Sequence, residues 1–272
     1  MHHHIKRNLA LHRTVPVTVG VGLIVIISAV AIRYTGYGQQ VSYSESEAGF
    51  ETMTEEPKDQ DLAVHPRLRD LDHWSRPPGP IRVGLQVGHW QAIDAPDELE
   101  NLRTRTGTSG GGKNEWEVNL DIAEKTRALL QERGMTVDIL PVTIPENYWA
   151  DVFIAIHADG NVNTGVNGFK VASPWRDVTG EAEEFSQILE EHYAVSTDLD
   201  LDPNISRAMR GYYAFNWRRY DHSIHPMTVA AIIETGFLTS AHDRRVIVDD
   251  SERSARGIAE AVLEYTQTII KI

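Results

Sequence analysis

The stretch IRVGLQVGH, Ile81 to His89, is where the fold can be read. Its apolar residues show no 3.6-residue period, the run is short, and Gly88 interrupts it; that combination reads as a buried strand. Working outward, MTVDIL (135–140), DVFIAI (151–156), GFKVAS (168–173) and TVAAII (228–233) share its texture. Amphipathic segments lie among them: Glu115 to Arg133, stopped by Gly134 where helices often end in a left-handed residue, and Glu181 to Tyr193. Ser251 to Ile270 reads as a last helix, with Ala255, Ile258, Ala259, Val262, Thr266 and Ile269 on one stripe. Short apolar strands alternating with such helices predict an α/β domain over residues 81–272, a mainly parallel twisted sheet flanked by helices. Leu199 to Tyr220, rich in Tyr, Phe, Trp and Arg, reads as irregular or helical.

Composition limits the chemistry. The 272 residues carry a net charge of −13, which argues against a nucleic-acid partner, since phosphate binding needs clustered Lys and Arg. There is no cysteine, so disulfides, thiol catalysis and Cys-held zinc are excluded; any metal must be held by His and carboxylates. Ahead of the domain, Thr14 to Ile32 is an uncharged, mostly apolar run between Arg13 and Arg33, long enough to cross a bilayer as a helix. Lys6, Arg7 and Arg13 precede it and acidic residues follow, which predicts a cytoplasmic N-terminus at 1–13, a single-pass membrane anchor at 14–32 and an extracytoplasmic remainder. A cleavable signal peptide is the competing reading, with the small residues near Ala29 as its processing site. Residues 33–80 have few large apolar side chains and end in Arg76-Pro77-Pro78-Gly79-Pro80, the composition of a linker.

Three predicted strands lead into residues able to bind a metal or move a proton: VGLQVGH at His89, DVFIAIH at His157 and AAIIE at Glu234. Open α/β sheets bind ligands outside the carboxyl ends of their strands, so these three should meet on one rim. Glu115 joins them from the helix, at the head of the stripe Val118, Ile122, Leu129 that should face the sheet. Two imidazoles and a carboxylate form a zinc site of the His₂Glu type with a position left for water. Such a metal polarises a carbonyl and acidifies water, and a neighbouring carboxylate can carry the proton to a leaving amine. The bland readings stand beside this one: a hydrogen-bonded histidine at a strand end, a first-turn acid favoured by the helix dipole, and a structural ion pair for Glu234.

With these residues in view, the chain resembles the zinc-dependent N-acetylmuramoyl-L-alanine amidases of the amidase_3 type. The resemblance runs through Gly88-His89, Glu115 with Asn119-Leu120, Ile156-His157-Ala158 and Glu234-Thr235-Gly236-Phe237, in the family's order. It implies His89, Glu115 and His157 as Zn²⁺ ligands, Glu234 as the catalytic carboxylate, and peptidoglycan or a muropeptide as substrate. Departures occur beside the motifs: Trp90-Gln91 where the family commonly has glycines, Asp159 after IHA, and Thr239-Ser240 after the phenylalanine and leucine. Two alternatives remain open: a zinc peptidase or amidase acting on another amide, or a non-catalytic wall-binding module.

Three further features complete the reading. GTSGGGKNEWEVNL, Gly107 to Leu120, formally matches a phosphate-binding loop and a nucleophile elbow, but no strand precedes it and Asn114 stands where a Ser or Thr would follow the lysine. Its glycines read instead as a mobile lead-in to Glu115, with Asn114 as helix cap. His222 and His225 are a spare pair read as rim residues touching substrate, and Tyr212 to Tyr220 is either a sugar or peptide platform or an aromatic packing layer.

Overall fold

The computed structural model describes residues 65–69 and 71–270, with backbone alone at 268–270. Residues 1–13, the predicted anchor at 14–32 and the linker as far as 64 lie outside them. Among the described residues no helix is long and apolar enough to cross a membrane.

The chain runs β1 (Arg82–Val87), β2 (Ser109–Gly110), β3 (Lys113–Asn114), α1 (Glu115–Gln131), β4 (Thr136–Leu140), β5 (Val152–Asp159), β6 (Lys170–Ala172), α2 (Ala182–Thr197), α3 (Arg207–Arg210), β7 (Val229–Phe237), α4 (Ala241–Ile247) and α5 (Ser251–Ile270). The main sheet has the order β4-β1-β5-β7-β6, with the first four strands parallel and the edge strand β6 antiparallel to β7.

Alternation along each strand separates two cores. Val83, Leu85, Ile154, Ile156 and Ile233 point towards α1, α2 and α5, where Val118, Ile122, Phe185, Leu189, Ile258 and Val262 meet them. Phe153, Ala155, Ala230 and Ile232 face the other way, under Val142, Ile144, Tyr148 and the segment Met209 to Phe215. The expected helical flank therefore covers one face. The second face is roofed by short turns and aromatic side chains, because those segments bring large apolar surface without a helical period.

Two helix details differ from the sequence reading. Leu129 is exposed, and Asn119, Thr126 and Leu130 are buried instead, since α1 packs on α5 as well as on the sheet and its inward face is wider than the predicted stripe. Asn114 occupies the N-cap position as expected, and its backbone N–H donates to Glu117 at 2.8 Å. The predicted mobile lead-in is a tight hairpin: β2 and β3 pair through Gly111 and Gly112, both at positive φ, the geometry of a two-residue turn that matches strand twist.

The last part of the presumed linker is docked. Arg67 donates to the Tyr220 carbonyl, Ser223 Oγ and Asp221, and Arg76 grips the buried Asp151 carboxylate at 2.6 and 2.9 Å. Trp74 stacks on His225 with centroids 5.8 Å apart and leans on Trp149. Residues 65–80 thus belong with the domain, because two arginines and an indole find partners that composition does not reveal.

Candidate metal centre

β1 ends at Val87, and the Gly88 N–H bonds to the Ile156 carbonyl before the chain leaves the sheet. His89 and Gln91 both sit at positive φ, 63° and 58°, which non-glycine residues adopt only when their surroundings impose it. This turn swings the His89 ring towards α1, while Trp90 packs into the helix-side core and does not line the cleft. The indole that stands where the family commonly has a glycine is therefore turned away from the cleft.

His157 and Glu234 lie inside their strands rather than just beyond them. β5 continues to Asp159 and β7 to Phe237, and the two residues are paired in register with Lys170 of β6 beyond. A register shift between His157 and Asp159 follows, and Thr235 Oγ1 donates to the His157 carbonyl at 2.9 Å. Asp243, fully buried, accepts the Gly168 and Phe237 N–H groups and fixes the chain after Glu234.

Glu115 opens α1 and reaches over the end of β5. Its Oε2 accepts the Thr108 N–H at 2.9 Å, and its Oε1 accepts from Ala158 N at 3.2 Å and Asn119 Nδ2 at 3.3 Å. The same Oε1 lies 3.4 Å from His89 Nε2 and 3.1 Å from His157 Nδ1. One ligand atom from each of these three residues lies within 4.8 Å of the others. His89 Nδ1 faces the Arg105 carbonyl at 3.1 Å. A carbonyl can only accept, so that nitrogen carries the proton and Nε2 turns a lone pair towards Glu115. Burial would by itself raise the pKa of Glu115, but His89, His157 and the Thr108 N–H outweigh it and lower it to about 2. Burial holds His89 below the ordinary imidazole range, against the pull of Glu115. A carboxylate and a neutral imidazole facing one another are set to share a cation.

The cleft above this cluster has a volume of about 810 Å³ and is lined by His89, Glu115, His157, Glu234, Arg105 and Tyr212 among others. Lys170 is buried beside Glu234 and bonded to Asp159, with Asp202 at 3.6 Å; burial opposes its charge, but these acids and Glu234 keep its pKa raised. The structural ion pair that the sequence allowed for Glu234 has a cation beside it in this lysine.

His222 and His225 do not line the cleft. His222 Nδ1 pairs with Glu98 at 2.6 Å and His225 stacks under Trp74, so both knit the second face together. Tyr213, Phe215 and Trp217 are buried as a packing layer, and Tyr212 alone of the aromatic run reaches the cleft. Sequence reasoning also passed over Thr108 and Gln86, which show no local periodicity. Asn119 was visible as the residue one turn after Glu115.

Residues 85–264 match the Amidase_3 family, described as N-acetylmuramoyl-L-alanine amidase. The N-acetylmuramoyl-L-alanine amidase LytC of Bacillus subtilis (strain 168) is 25% identical over 177 residues, covering 59% of this chain; the chain spans about a third, 33%, of that protein's length. Among solved structures, the CwlD amidase of Clostridioides difficile aligns over 69% of this chain and 99% of its own with a TM-score of 0.51 at 17% identity. Ami1 of Mycobacterium smegmatis aligns over 69% and 97% with a TM-score of 0.51 at 16% identity, so both share the fold. With two thirds of its residues matched and the motif residues gathered in one cleft, the chain belongs to the Amidase_3 family of N-acetylmuramoyl-L-alanine amidases.

Proposed function

We propose that this protein is a membrane-anchored, zinc-dependent N-acetylmuramoyl-L-alanine amidase. It hydrolyses the amide joining the lactyl group of N-acetylmuramic acid to the L-alanine of the stem peptide in peptidoglycan. The observation that carries the reading is the convergence of His89 Nε2, Glu115 Oε1 and His157 Nδ1, with Glu234 one strand away. Two imidazoles and one carboxylate suit Zn²⁺, and cysteine ligands are absent from the sequence. Bound there, zinc supplies a Lewis acid that polarises the scissile carbonyl and acidifies the attacking water.

The chain's own groups do the rest. The Thr108, Asn119 and Ala158 donors hold the Glu115 carboxylate in one orientation, and the Arg105 carbonyl does the same for His89. Glu234 accepts the proton of the attacking water at its carboxylate and returns it to the departing alanine nitrogen. The cleft admits a peptide beside these groups. Support for the anchor is the uncharged run 14–32 with basic residues before it and acidic residues after it, which puts the catalytic domain outside the cell membrane.

The test is metal analysis of the full chain together with turnover of purified muropeptides by wild type and Glu234→Gln. Stoichiometric zinc, release of stem peptides by wild type, and a loss of about a hundredfold or more in the variant are expected. Bound zinc without stem-peptide release by wild type would sink the amidase reading. Stoichiometric zinc retained by His157→Ala would overturn the ligand set.

A further inference from the structure

The aromatic run 212–220, read from sequence as platform or packing, contributes one polar atom to the centre. The Tyr212 hydroxyl lies 3.1 Å from His157 Nε2, and its ring meets the imidazole edge-on with centroids 5.3 Å apart. The same hydroxyl bonds to Gln86 Oε1 at 2.9 Å, and Gln86 Nε2 bonds to the Val142 carbonyl at 3.0 Å. Tyr213 closes the network, with its hydroxyl on both Gln86 Nε2 and the Val142 carbonyl. Gln86 is fully buried on β1 and Tyr212 almost so.

The direction of every hydrogen bond follows from the far end. The Val142 carbonyl can only accept, so the amide nitrogen of Gln86 faces it and the amide oxygen faces Tyr212. That oxygen can only accept, so it takes the single hydrogen of the Tyr212 hydroxyl. The hydroxyl then meets His157 Nε2 with a lone pair, and Nε2 carries the proton. In the neutral ring His157 Nδ1, 3.1 Å from Glu115 Oε1, is then left with its lone pair directed at the cluster.

We propose that Tyr212 and Gln86 are positioning residues for the metal, a carbonyl-anchored relay that locks His157 in the tautomer whose Nδ1 can ligate. The inference rests on the zinc reading above and deepens it. A metal-ligating imidazole is normally oriented by the bond its other nitrogen makes, and here that bond runs through a tyrosine to a glutamine 126 residues away in sequence. The fold supplies the placement: β1 brings Gln86 alongside β5, and the turn after α3 sets Tyr212 against both Gln86 and His157.

Two measurements on the full chain test it. The first is zinc affinity by chelator competition for wild type, Tyr212→Phe and the control Tyr148→Phe, which removes another buried hydroxyl, one bonded to Asp138. Tyr212→Phe is expected to weaken zinc binding by about 10- to 100-fold, with Tyr148→Phe unchanged. The second is the nitrogen-15 spectrum of the His157 ring in metal-free wild type above the imidazole titration range. A protonated Nε2 is expected, giving way to a tautomer mixture in Tyr212→Phe. Wild-type zinc affinity in Tyr212→Phe, an equal loss in Tyr148→Phe, or a proton on Nδ1 in wild type would each overturn the proposal. Wild type that binds no zinc would remove the metal from the proposed function as well, whereas zinc binding indifferent to Tyr212 removes the relay alone.

Discussion

Gly107 sets a tight constraint on the centre at the scale of single residues. Its φ is +72°, and a Cβ there would collide with Glu115 Oε2 and lie 2.8 Å from the His89 ring. The backbone must pass this close for the Thr108 N–H to reach the carboxylate. Gly107→Ala is therefore expected to weaken zinc binding by about tenfold or more, through displacement of an orienting donor. It should also destabilise the fold by about 1 kcal/mol or more, because alanine resists positive φ. Chelator competition and urea unfolding measure the two effects, and an unchanged zinc affinity would show that the carboxylate has room to move. Glu115 and the two histidines were legible in the sequence as residue types at recognisable places. Gly107 was legible only as part of a false phosphate loop, since its role depends on a side chain eight residues on.

Among the elements, the short helical turn Asp97–Leu102 is tied to the loop before β7 by one carboxylate. Glu98 accepts the Asp221 and His222 N–H groups, each at 2.9 Å, and the His222 ring. Partial burial would raise its pKa, but these donors outweigh it and the value is lowered from 4.5. The sign follows: a carboxyl group whose pKa is lower folded than unfolded stabilises the protein above its unfolded pKa and loses that contribution as pH falls through the folded value. Glu98→Gln should flatten the loss of stability as pH falls below about 4.5, the value from which the Glu98 pKa is lowered. Urea midpoints across that range check it, and a variant as acid-sensitive as wild type would dismiss the Glu98 link. The same contact, with the Trp74 stack on His225, explains why the His222 and His225 reading failed. A histidine pair in sequence looks like a site, but its partner lies on a segment 124 residues earlier.

For the molecule as a whole, the strap at residues 65–80 extends the folded unit beyond the boundary that composition suggested. The Asp151 side chain is only 4% exposed and accepts from Arg76 and the Arg82 N–H. Arg76→Ala is expected to lower stability by about 1–3 kcal/mol, the usual result of leaving a buried acceptor short of a partner. A chain starting at Ile81 should unfold at a lower temperature still, as Trp74 and Arg67 are lost too. Equal melting temperatures for chains starting at Ile81 and His65 would return the strap to the linker. By itself the sequence determined the succession of the longer strands and helices, the four motif residues that gather in the cleft and the family, because hydrophobic period and strand-end chemistry are local properties. Only the tertiary structure decided that β6 runs antiparallel at the edge, that short helical turns and aromatic side chains rather than long helices roof one face, and that Gln86 and Tyr212 meet behind His157. Alternation along a strand fixes which face a side chain takes, but not which distant segment arrives to cover it, so contacts between residues more than 100 positions apart leave no periodic trace.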